Sequence, residues 1–157
     1  MSDQQQTQEN PQPVFAIQKL YVNDISVESP NAPMAFMEQE APEINVSFQN
    51  QARAFEGGFH EVSIKATAEA KVGDRILFLI EVTQAGLFSI ENVPESDMDP
   101  LLGIGCPNII YPYLRANIAD VITRAGFPPV HLAEINFQQM YQQQQAAQAD
   151  GSPIITQ

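Results

Sequence analysis

Glu61 to Val82 runs EVSIKATAEAKVGDRILFLIEV, and this stretch decides the fold. Val62, Ile64, Ala66, Ala68 and Ala70 alternate with Glu61, Ser63, Lys65, Thr67, Glu69 and Lys71, the period of two of a strand with one apolar and one wet face. Gly73-Asp74 supplies a tight turn into the run Ile76 to Val82, so the segment predicts a β-hairpin. An antiparallel sheet with one open face is implied.

The second arm of the hairpin departs from simple alternation. Leu77 and Leu79 share a face with Glu81 and Thr83, while Phe78, Ile80 and Val82 occupy the other. Two readings stand: a strand buried on both sides, or an exposed apolar patch that docks a partner. Glu81 favours exposure, because an unpaired buried carboxylate is costly.

Upstream, Phe15 to Val27 is rich in Phe, Ile, Leu, Tyr and Val without helical periodicity, and it stops at Ser29-Pro30 and Pro33. Ile44, Val46 and Phe48 alternate with Asn45, Ser47 and Gln49. Both segments predict strands. Downstream, Ile110, Leu114, Asn117, Ile118, Val121 and Ile122 recur at helical spacing after Pro107, which suits a first helical position, and Gly126 and Pro128 end the run. Pro112 inside this pattern predicts an irregular or late opening turn. Asn136 can cap a second helix carrying Phe137, Met140 and Tyr141. The expected class is α+β: a four-stranded antiparallel sheet followed by two helices.

The 157 residues suit one domain, expected over residues 14 to 145. Met1 to Pro13 and residues 146 to 157, in a polar stretch that begins near Gln142, are expected to be flexible tails. The formal charge is -12, from 19 acids against 7 bases. Such a field repels phosphate backbones and anionic membrane surfaces and attracts basic partners. Cys106 is the single cysteine, so no intrachain disulfide forms. The N-terminus has no basic residue before an apolar stretch, and no apolar run reaches the roughly 18 residues that span a bilayer. Cytoplasmic residence is the expectation.

Motifs for chemistry are missing. His60-Glu61 has Ile64 where a zinc protease needs its second His, and Gly103-Ile104-Gly105 lacks the third glycine of a dinucleotide loop. Asp97 and Asp99 lie in the acidic run Glu91 to Asp99 without calcium-loop spacing, so a solvated loop is expected there. Cys106 has no basic or His neighbour in sequence and reads as a small buried hydrophobe. His60 and His131 are too few and too far apart for a triad or a metal site. Binding without catalysis, cofactor or metal is the expectation.

Three blocks carry a resemblance: DISVESPNAP at Asp24 to Pro33, LFLIEVTQAGLFSI at Leu77 to Ile90, and CPNIIYPY at Cys106 to Tyr113. In order and wording they resemble the SecB family of protein-export chaperones, over about Phe15 to Gln144. The resemblance implies a homotetramer, a dimer of dimers in which two subunits join their sheets and two dimers stack through the first helix, with Ile110, Leu114, Ile118 and Val121 as its apolar stripe. It implies an ATP-independent chaperone that holds unfolded secretory precursor proteins and delivers them to the SecA ATPase for post-translational export. Asp24, Glu28, Leu79 and Glu81 match the positions implicated in SecA docking. The crossover Pro33 to Pro42, the sheet and the second helix imply a client groove containing Phe36, Met37, Ile44, Val46, Phe137, Met140 and Tyr141. Many family members carry a Trp in the crossover; this chain has none and has Glu40 there, leaving Phe36, Met34 and Met37 as the adaptable apolar surface. Two other readings share these residues: an acidic scaffold or inhibitor that binds one folded basic protein, and a SecB-like chaperone serving a toxin-antitoxin system.

Overall fold

The structure is a computed structural model that describes residues 10 to 150. Residues 1 to 9 and 151 to 157, within the two expected tails, lie outside the described residues. Four strands, β1 (Val14–Glu28), β2 (Glu43–Ala54), β3 (Phe59–Val72) and β4 (Arg75–Glu91), form one antiparallel sheet in the order β1-β4-β3-β2. The β3–β4 hairpin turns at Gly73, whose φ of 59° is a conformation glycine adopts without strain. Val72 pairs with Arg75 across that turn.

One face of the hairpin is the floor of the core. Val62, Ile64, Ala66, Ala68 and Ala70 on β3 and Phe78, Ile80 and Val82 on β4 are all buried. The helix α2 (Cys106–Arg124) crosses this floor and buries Ile110, Leu114, Ile118, Val121 and Ile122 against it. Burial of each such side chain contributes about 1.5–3 kcal/mol. The three alanines leave a shallow floor on which the helix lies close.

This arrangement corrects the expectation that the stripe Ile110, Leu114, Ile118 and Val121 joins subunits. The stripe covers the subunit's own sheet, which is wide enough to accept it. The outward side of α2 instead carries Asn108, Pro112, Tyr113, Ala116 and Asp120, all exposed.

The helical run also begins earlier than the sequence implies. The acidic run expected as a solvated loop contains a helical turn, α1 (Glu95–Pro100), followed by a π-helical turn at Leu101–Gly105 that leads directly into α2. Cys106 donates its backbone N–H to the Leu101 carbonyl, five residues back. Pro107 has no N–H to donate, so the widened turn lies where the regular ladder could not continue. Pro112 sits on the exposed side of the helix, where its missing donor is tolerated.

The helix α3 (Phe137–Asp150) starts where Asn136 Oδ1 accepts the backbone N–H of Gln139 at 3.0 Å, the N-cap bond that the sequence predicts. It runs past Gln142 and past residue 145, correcting the expected tail boundary. Gln and Ala favour helix even where no apolar side chain marks the segment.

The strand β1 contains two register shifts, at Gln18 and Asn23. Each inserts one residue and exchanges the faces of the side chains beyond it. Phe15, Ile17, Leu20, Val22, Ile25 and Val27 therefore all lie on the helix side of the sheet, although their numbering changes from odd to even and back. Because α2 lies over β3 and β4, Phe15, Ile17, Val22, Ile25 and Val27 remain 40–47% exposed.

Candidate functional site

An acidic face lies on the stretch of β1 beyond its second shift. Beyond Asn23, Asp24 pairs with Thr83, Ser26 with Glu81, and Glu28 with Leu79. Opposed residues in an antiparallel pair share a face, so Asp24, Glu28, Leu79 and Glu81 stand in adjacent rows on the side away from α2. On β3 the rows continue through Lys65, Thr67 and Glu69, paired with Thr83, Glu81 and Leu79 respectively. Asp24 and Glu28 are exposed, and Leu79 and Glu81 are partly so. Leu77, at a further register shift, is buried. The fourth strand thus has a buried helix side and a half-open side, with a leucine set among carboxylates.

Farther along the same face, Tyr21 donates its hydroxyl hydrogen to Glu61, which also accepts from Arg53 at 2.7 Å. Arg53 in turn lies 5.3 Å from the centre of the Phe55 ring. The Tyr21 and Arg53 bonds hold the Glu61 carboxyl below its ordinary range, while burial and the same carboxylate push the Tyr21 hydroxyl up to about 12. This polar chain ties β1, β3 and β2 together. It escaped the sequence reading because no spacing relates residues 21, 53 and 61.

The crossover between β1 and β2 is held against the hairpin. Ser29 Oγ donates to the Leu77 carbonyl at 2.8 Å, Asn31 Nδ2 donates to the Ile76 carbonyl at 2.8 Å, and Arg75 pairs with Glu38. Within it, Met34 to Met37 form a single 3-10 turn. Phe36 packs on Phe127, and a Cβ at Gly126 would come within 2.8 Å of the Phe36 ring. Phe36 still exposes 49% of its surface and Met37 exposes 71%.

Ile44 and Val46 face the helix side, because they pair with the buried Ala70 and Ala68. They lie towards the crossover end of β2. At its far end Tyr141 rests over Gly103, where a Cβ would come within 2.7 Å of the ring. Tyr141 lines a cleft of about 410 Å³ whose walls mix Ala52, Val62, Leu102 and Gly103 with the polar Asn50, Gln51, Asp99 and the α3 glutamines Gln144, Gln145 and Gln148. Ile44 and Ala52 are eight residues apart on one strand, so the two regions lie about 27 Å apart. Phe36 and Met37 lie in the crossover and Ile44 near the start of β2, whereas Met140 and Tyr141 lie on α3.

Phe137 is a correction. It is 2% exposed, packed 5.6 Å from Tyr111, whose ring stands 6.0 Å from Phe48. The Tyr111 hydroxyl donates to the Ala133 carbonyl and fastens the connection before α3. Phe137 therefore anchors the helix and leaves almost no surface for a client. It is the first residue of α3, and its side chain turns inward to the aromatic cluster.

A family model described as preprotein translocase subunit SecB matches residues 8–148. The chain belongs to the SecB family. The "Protein-export protein SecB" of Janthinobacterium sp. (strain Marseille) is 56% identical over 94% of this chain and 92% of its own length. The protein of that name from Herminiimonas arsenicoxydans is 55% identical over 94% and 93%, and that from Methylibium petroleiphilum 52% over 92% and 94%. Among solved structures, the SecB-like chaperone of Mycobacterium tuberculosis, in complex with an antitoxin peptide, superposes with a TM-score of 0.64 at 15% identity, covering 78% of this chain and 91% of that one. That likeness is one of fold. The SecB family is one of protein-export chaperones and is not enzymatic, and the role of this chain is that of a SecB chaperone. No helix among the described residues is long and apolar enough to cross a membrane.

Proposed function

We propose that the protein works in the cytoplasm as a homotetrameric, ATP-independent holder of unfolded secretory precursors, which it passes to the SecA ATPase through its acidic sheet face. The observation that carries this reading is the assembly of Asp24, Glu28, Leu79 and Glu81 on one open face by the β1–β4 register. Three carboxylates around an apolar side chain complement a basic surface that has an apolar element of its own. On the opposite side the exposed Phe36, Met37 and Ile44 offer apolar area without a fixed hydrogen-bond pattern, which suits many unfolded chains in turn.

Assembly follows from what one subunit leaves uncovered. The apolar row of β1 stands beside a hollow between the sheet and the end of α2, where Ile25, Val27, Val121 and Ala125 are joined by Asn117 and the charged Asp120 and Arg124. A second subunit joined at the β1 edge would cover that row, and the outward side of α2 would then meet the opposing dimer. The test combines aggregation suppression with several unrelated denatured precursors and direct binding to purified SecA. Holding of a single folded basic protein, with no effect on unfolded chains, would overturn the proposal.

A further inference from the structure

Glu81 already has a cation beside it. Lys65 Nζ lies 3.5 Å from Glu81 Oε2, and Thr67 Oγ1 lies 3.3 Å from Glu81 Oε1, so both carboxylate oxygens are engaged within the sheet. The Lys65 and Glu81 side chains remain 41% and 32% exposed. The other lysine near this row, Lys71, is drawn to Glu69 at 3.3 Å. Asp24 and Glu28, by contrast, make no ion pair among the described residues.

We propose that Lys65 is an internal competitor at the docking face, occupying Glu81 until a cationic group of a basic partner displaces it. The inference rests on the docking role proposed for Glu81 above. An exposed ion pair of this kind is weak, so a partner's ammonium or guanidinium group can replace the lysine readily. The exchange gains little by itself, because one cation leaves the carboxylate as another arrives. Lys65 then remains beside the contact as an unpaired positive charge that repels the incoming group. Affinity is held below what the carboxylates alone would give, and a partner that must later leave is released more easily. The contribution of Glu81 is set by Lys65, whereas Asp24 and Glu28 act without such restraint.

The test measures the affinity of purified SecA for Lys65→Gln, Lys65→Arg, Lys71→Gln and Glu81→Gln variants at low ionic strength. Lys65→Gln is expected to tighten binding about three- to tenfold, Lys65→Arg to stay near the parent, and Lys71→Gln to change it by less than about twofold. Equal tightening by Lys65→Gln and Lys71→Gln would mean that net charge alone is at work and would overturn the proposal. If Glu81→Gln weakens binding while Lys65→Gln weakens it or leaves it unchanged, the lysine orients the carboxylate and competition is wrong. If Glu81→Gln has no effect, the docking role itself fails and takes this inference with it. Thermal melts of the variants verify folding.

Discussion

The ring of Phe36 stands 5.0 Å from the ring of Phe127, and Phe127 stands 5.1 Å from Phe78 on β4, so the crossover is pinned to the core by three aromatic side chains in series. Phe36 is therefore the fastening of the crossover. Replacing Phe36 by Ser, alone or with Tyr141→Ser, is expected to speed release of unfolded precursors about tenfold. Phe36→Ser should also lower stability by about 1–2 kcal/mol, a partial loss of aromatic burial. Phe36→Leu, which keeps apolar volume, should fall between the parent and Phe36→Ser. Chase experiments with labelled precursors measure the release, and light scattering verifies assembly. Unchanged holding by a correctly assembled Phe36→Ser, Tyr141→Ser protein would remove both residues from the client surface.

Reversing charge on the opposite face should separate the two activities. Glu81→Lys and, independently, Asp24→Lys are each expected to weaken SecA binding about tenfold or more at low salt. Precursor holding should remain intact, because these side chains lie across the sheet from the proposed client surface. The deficit should shrink as added salt weakens the parent's own contact. Titration calorimetry at two ionic strengths measures it, and parental affinity in both variants would refute the assignment.

The Tyr21–Glu61 bond predicts stability losses at both ends of the pH scale. Glu61 is held below its ordinary 4.5, so its contribution is complete above about that pH and is lost as pH falls through the lowered value. Tyr21 is raised from 10.0 to about 12, so its contribution is complete below pH 10 and is lost as pH climbs towards 12. Tyr21→Phe should cost about 1–2 kcal/mol at neutral pH. It should also flatten the acid limb and abolish the part of the alkaline loss that belongs to Tyr21. Denaturant melts across pH measure this; a variant with the parent's full pH profile would show that the bond contributes nothing.

The uncovered row on β1 predicts the route of assembly. Ile25 pairs with Val82 on the helix side yet is 47% exposed, and Ile25→Lys places a charge in the expected subunit contact. Parent protein should scatter light as a tetramer at micromolar concentration, and Ile25→Lys as a smaller species with its secondary structure retained. A tetrameric Ile25→Lys protein would place the contact elsewhere.

Most of the sheet was legible because strand alternation is a local signal. The β3 pattern fixed its apolar and polar sides, although Ser63 on the polar side is buried, and Gly73-Asp74 fixed the turn. The strand β1 was legible only as a strand: its two inserted residues interrupt the period of two, so sequence counting from Val22 puts Asp24 on the apolar side. The cluster of Asp24, Glu28 and Glu81 stands out through its resemblance to a family, and its geometry was legible only through pairing with β4.

The sequence by itself determined the class of the fold, the acid excess and the location of the apolar segments, because composition and periodicity depend on residues close in the chain. The tertiary structure decided what each apolar segment covers. Periodicity marks a stripe for burial without naming the surface that buries it. The stripe of α2 thus lies on its own sheet, Phe137 enters the aromatic cluster with Tyr111 and Phe48, and the row on β1 is left half-exposed. The tertiary structure also set Lys65 beside Glu81, sixteen residues away, because their meeting depends on strand register and a side-chain reach that no local pattern encodes.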